Sequence, residues 1–93
     1  MYIKINGYTN FYFYVRSDAE SDYDYVIVSE LDSNSQKFST SGNQNSGTGL
    51  SSYTKVEYTN IPAGEHTITI TYKKDVSIDS GEDRGYVLIP KNQ

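Results

Sequence analysis

Cysteine is absent from the 93 residues, which removes disulfides, thiolate metal ligands and thiol nucleophiles together, so the fold must rest on packing and sheet hydrogen bonds. Tryptophan is absent too, and histidine occurs once. That residue, His66, follows a turn at the start of a strand-like run, a solvated or edge position rather than that of a base serving a nucleophile. No phosphate-binding glycine loop and no metalloprotease motif is present, and no triad can be assembled, so the expected class is not an enzyme. No apolar run approaches a membrane span, and the start MYIKINGYTN lacks the charged and apolar regions of a signal peptide. We therefore expect no membrane insertion, with any export by another route or as part of a longer product. Lys and Arg number 8 against 12 Asp and Glu, the net charge is -4, and the basic residues are scattered. Nucleic-acid binding draws on clustered cations, so no nucleic-acid partner is expected.

What the chain has is tyrosine, ten residues of it, in short alternating runs. Tyr suits a pleated, half-buried surface, because its ring packs on neighbours while its hydroxyl reaches water or a partner. In FYFYVR the residues Phe11, Phe13 and Val15 alternate with Tyr12, Tyr14 and Arg16, which predicts a strand with the first set in the core. Asn6-Gly7 just before it tolerates the positive φ angles of a type I′ turn and predicts a hairpin joining this strand to YIKI. YDYVIVSEL is apolar on both faces from Val26 onward, as in a strand partly covered on its second side. Residues 32–52 lose all periodicity and read as a long polar loop, with Lys37 to Thr40 as a short edge strand inside it.

Alternation resumes with Tyr53, Lys55 and Glu57 opposite Thr54, Val56 and Tyr58. HTITITY then puts Ile68, Ile70 and Tyr72 on one face and Thr67, Thr69 and Thr71 on the other, which should be outside. A second polar loop precedes GYVLIP, where Pro90 removes a ladder donor and ends the last strand. The echo between GYTNF and EYTNI is too brief to mark duplicated halves. Six or more short strands with no sustained helical period predict a single all-β domain over 1–93, a two-sheet antiparallel β-sandwich of jelly-roll or Greek-key order. At this length only about 60–65% of the unfolded chain's surface would be buried.

Asp18, Glu20, Asp22 and Asp24 stand two apart and run straight into an apolar strand. In an extended segment they project to one side, and the second acidic loop, Asp75, Asp79, Glu82 and Asp83, supplies further oxygens of the kind Ca2+ requires. The spacing does not match an EF-hand, and the simpler reading is a charged lip kept in water. YDYVIVSELD followed by KDVSIDSGEDRGYVLI resembles the signature stretches of CUB domains, extracellular β-sandwiches that often bind Ca2+ to hold a protein-binding loop. Carried over, that resemblance makes Asp24 and Asp75 metal ligands with Glu20 as the nearest third acid. The chain lacks the CUB cysteines.

A likeness over Phe11 to Gln93 is broader. RSDAESDYDYVIVSELD, SGNQNSGTGLSSYTKVEYTNIPAGEHTITITYKKD and SGEDRGYVLIPKNQ resemble a small β-sandwich module that recurs in surface proteins of gut Bacteroidetes and in virion proteins of their phages. It implies location on a particle or cell surface and a non-catalytic structural or attachment role, with a Ca-dependent CUB-like protein- or carbohydrate-binding domain as the alternative. Expected partners are another virion or cell-surface protein, a glycan, or further copies of the chain paired through edge strands. For a neutral sugar the candidate contacts are Tyr23, Asn43, Asn45 and Tyr53, rings and amides near the loops.

Overall fold

A computed structural model describes residues 1–18, 25–40, 53–73 and 84–91. Among the described residues seven strands run in the order β1 (Tyr2–Asn6), β2 (Phe11–Asp18), β3 (Tyr25–Ser29), β4 (Gln36–Ser39), β5 (Thr54–Tyr58), β6 (Glu65–Lys73) and β7 (Arg84–Leu88). They form two antiparallel sheets packed face to face, one of order β1-β6-β3-β4 and one of order β5-β2-β7. The expected all-β sandwich is therefore observed, and no helix lies among the described residues.

Alternation decides which way each strand faces. Phe13 and Val15 are fully buried with Phe11 beside them, and across the sandwich Val26, Val28, Ile68 and Ile70 close the same cluster. Val56 and Tyr58 from β5 and Ile3 and Ile5 from β1 complete it. Burying such side chains is worth roughly 1.5–3 kcal/mol each, which is what fixes the register of every strand that contributes them. Thr67, Thr69 and Thr71 stand on the outer face of β6, as the pattern predicts, and β4 is the short edge strand expected inside the 32–52 segment.

The predicted Asn6-Gly7 hairpin does not form. β1 pairs with β6, Tyr2 opposite Thr69, whereas β2 pairs with β5 and β7 in the other sheet. Only Gly7 adopts a positive φ (90°), so the local preference is half used: the chain turns at Gly7 and crosses the sandwich through residues 7–10. Four extended residues span about 13 Å, enough to bridge sheets about 10 Å apart. Crossing puts Ile3 and Ile5 on one wall of the core and Phe11, Phe13 and Val15 on the other. Among the described strands, β3 and β4 are the one pair adjacent in both sequence and sheet.

Two contacts tie the sheets at close range. The Tyr58 hydroxyl donates to the Ser29 carbonyl at 2.7 Å in the buried interior, reaching from β5 to β3. Gly85 on β7 lies so near the opposite wall that a Cβ there would meet Val26 Cγ2 at 2.7 Å and Tyr72 Cδ1 at 3.1 Å. The echoed segments GYTNF and EYTNI also lie side by side: Phe11 pairs with Tyr58, and the Ile61 amide donates to the Thr9 carbonyl at 2.9 Å.

Candidate functional site

Because Phe11, Phe13 and Val15 face inward, Tyr12, Tyr14 and Arg16 face outward on the central strand of the three-stranded sheet. Register then selects their neighbours: Tyr12 stands opposite Glu57, Tyr14 opposite Lys55 on one side and Leu88 on the other, and Arg16 opposite Tyr86. The Arg16 guanidinium lies 4.4 Å from the Tyr86 ring centroid and 5.4 Å from that of Tyr53. Lys55 Nζ lies 4.6 Å from the Tyr12 centroid, and Tyr12 meets Tyr14 edge-on at 5.9 Å and 87°. Each such contact is worth about 0.5–1 kcal/mol at an exposed site. They place four rings and two cations on one face in two neighbouring groups, Arg16 with Tyr53 and Tyr86 and Lys55 with Tyr12 and Tyr14, with Leu88 exposed at 45% beside them.

Of the sugar-contact candidates, Tyr53 falls in this surface, half-buried against Arg16 at the approach to β5. Tyr23, Asn43 and Asn45 lie outside the described residues, as do the three candidate Ca2+ ligands, Glu20, Asp24 and Asp75. Among the described residues, no group of three or more His, Cys, Asp or Glu is placed to hold a metal ion.

His66 is more enclosed than a solvated or edge position suggests, its side chain being 12% exposed. Nδ1 lies 2.6 Å from Asp32 Oδ2 and Nε2 lies 2.8 Å from the Pro62 carbonyl. Both neighbours are acceptors, so each ring nitrogen is placed to donate, an arrangement that favours the imidazolium. The hydrogen bond to Asp32, then that to Pro62, raises the His66 pKa above its ordinary value. The His66 bond and the Thr67 amide lower that of Asp32 in turn. Asp32 sits at φ 52°, accepts from the Thr67 amide at 2.8 Å and donates its own amide to the Thr67 carbonyl at 2.8 Å. With both ring nitrogens engaged, the pair works as a clamp fastening the β3–β4 turn to β6.

A second feature adjoins the ring surface. The 7–10 crossover and the end of β5 enclose an open groove of about 600 Å³ lined by Tyr8, Thr9, Asn10, Tyr12, Glu57 and Thr59. Sequence reasoning had the outward tyrosines within reach, since alternation sets their side. The groove and the clamp join residues 34 or more positions apart, which no local pattern signals.

Comparison with protein-family models, with curated proteins and with solved structures finds no match for the chain.

Proposed function

We propose that the chain is a non-catalytic attachment module of a phage virion or bacterial surface protein, meeting its partner with the outer face of the β5-β2-β7 sheet. The observation that carries this reading is the set of rings and cations on that face, Arg16 over Tyr53 and Tyr86 and Lys55 over Tyr12, with Tyr14 edge-on to Tyr12. Tyr and Arg are, with Trp, the side chains enriched where binding energy concentrates; Tyr supplies large amphipathic area at little entropy cost, and Arg16 already lies against two rings. Mounting them on a paired central strand holds them in place before contact, so little ordering is left for binding itself. The resemblance to modules of gut Bacteroidetes and their phages supplies the setting, a surface that has to adhere. His66, with both nitrogens engaged, supports the non-catalytic half of the reading.

The test is binding of the fluorescently labelled 93-residue chain to a panel of intact gut Bacteroidetes cells by flow cytometry. Saturable binding that Arg16→Ala or Tyr86→Ala weakens at least about tenfold, with the thermal midpoint kept, is the expected result. Binding to none of the cells, or binding that both variants leave unchanged, overturns it.

A further inference from the structure

The groove beside the 7–10 crossover goes beyond the attachment face and stands on its own geometry. We propose that it is a binding site for a short, neutral oligosaccharide. Its walls are tied on both sides. Gly7 at φ 90° turns the chain out of β1, the Tyr8 ring packs edge-on against Phe11 at 5.1 Å and 69°, and Thr9 is held by the Ile61 amide. The opposite wall is β5, where Lys55 Nζ lies 3.8 Å from Glu57 Oε2 and 4.6 Å from the Tyr12 centroid, so one ammonium steadies both a carboxylate and a ring of the lining. A ligand entering this groove meets groups that are already in position.

The lining selects the ligand's chemistry. Two tyrosine rings border the groove, and aromatic ring surface suits the C–H face of a sugar ring. Around them stand one carboxylate that accepts, one carboxamide that both donates and accepts, and the hydroxyls of Thr9 and Thr59 that do either. Vicinal sugar hydroxyls need that mixture, since each is donor and acceptor at once. Among the described residues no aliphatic side chain lines the groove, which argues against a lipid tail or an apolar peptide segment. No Lys or Arg among the described residues lines it either, and the neighbouring Lys55 ammonium is paired with Glu57, so that pair offers no net positive charge to phosphate, sulfate or an acidic sugar. A single carboxylate is too few oxygens for a Ca2+ site. The volume, about 600 Å³, falls within the roughly 300–1,000 Å³ of small-molecule sites, and its open form suits a chain end or an internal stretch of glycan rather than an enclosed metabolite.

The experiment is a titration of the 15N-labelled 93-residue chain with neutral gluco-, manno-, xylo- and galacto-oligosaccharides, with a sialylated and a sulfated oligosaccharide alongside, read as amide shifts in two-dimensional NMR spectra. At least one neutral oligosaccharide is expected to give saturable shifts centred on Gly7, Thr9, Asn10 and Glu57. Glu57→Ala and Asn10→Ala should each raise its Kd at least about tenfold, because a site built to hydrogen-bond a hydroxyl loses that much when one partner is removed. Both residues are exposed on the surface, and a dispersed spectrum verifies that the variants are folded. Tyr86→Ala, on the attachment face, should leave the Kd unchanged. The proposal is overturned by a neutral panel that moves none of these amides, by shifts given only by the acidic sugars, or by unchanged binding in both groove variants. A blank titration beside cell binding that depends on Arg16 removes the groove and leaves the attachment face. Sugar binding in the groove without cell binding does the reverse.

Discussion

Replacing Tyr58 by phenylalanine removes one oxygen atom and tests whether the sandwich interior is as dry as its packing implies. The side chain is 3% exposed and its hydroxyl makes a single cross-sheet bond of 2.7 Å to the Ser29 carbonyl. The ring contacts are untouched by the change: Phe13 remains stacked at 6.1 Å and 23°, and Lys37 Nζ remains 4.7 Å from the centroid. Packing loss is therefore close to zero. What is lost is one hydrogen bond, a net of roughly 0.5–1.5 kcal/mol, plus part of the cost of leaving a buried carbonyl without its partner, and we expect about 1–2 kcal/mol in all. In a domain of this length each kcal/mol lowers Tm by roughly 4–8 °C. Urea unfolding should show the loss as a lower midpoint with an unchanged slope, since the surface exposed on unfolding is the same.

An alkaline arm sharpens the test. Burial, with Glu30 nearby as the lesser cause, pushes the Tyr58 hydroxyl far above its ordinary pKa of 10.0. A raised pKa gives stability that is complete below the unfolded value and lost as pH rises towards the folded one, because only the unfolded chain releases the proton in that interval. The difference between the wild type and Tyr58→Phe should thus narrow above about pH 10. A loss under about 0.5 kcal/mol, with no narrowing, would refute the reasoning and mean that water or a backbone shift already serves Ser29.

Two further expectations follow from the packing and the clamp. Gly85→Ala should cost about 1–3 kcal/mol, because its new methyl meets the stiff, buried Val26 at 2.7 Å, and adding Val26→Ala should recover part of that loss; a neutral Gly85→Ala would mean the sheets separate freely at β7. The Asp32–His66 clamp has two limits in pH. The lowered Asp32 pKa gives stability present above 3.8 and lost as pH falls through the folded value, and the raised His66 pKa gives stability present below 6.5 and lost as pH rises through its folded value. The gap in Tm between the wild type and His66→Gln should be widest between those limits, and a gap independent of pH would show that the pair carries no charge-dependent stability.

Legibility in the sequence followed burial of one face. β2, β5 and β6 each bury every second residue, so the sides of Phe13, Val56 and Ile68 could be read from period two alone. Asn6-Gly7 misled because turn chemistry states what a turn tolerates and not which strand will lie next to it; β1 pairs along its whole length with β6, in the other sheet from β2. The ring surface was half readable: alternation put Tyr12, Tyr14 and Arg16 outside, but only the β2–β7 register sets Tyr86 against Arg16. Asp32 had no such signal. An aspartate in a polar turn reads as solvated, and its use as a clamp depends on Thr67 and His66, 34 and more residues away.

The crossing at Gly7 has a consequence for how the domain comes into being. β1 cannot complete its ladder until β6 exists, since Tyr2 pairs with Thr69, and β2 likewise needs both β5 and β7. Nearly every pairing closes a long loop first, so the folding rate belongs with the slow, topologically complex β-proteins rather than with fast local folders. While it emerges from a ribosome, the chain must carry Ile3, Ile5 and the Phe11–Val15 run unpaired for most of its own synthesis. Its polar, tyrosine-bearing alternate positions keep those strands in water during the wait, so the residues that give the finished face its character also guard the nascent chain.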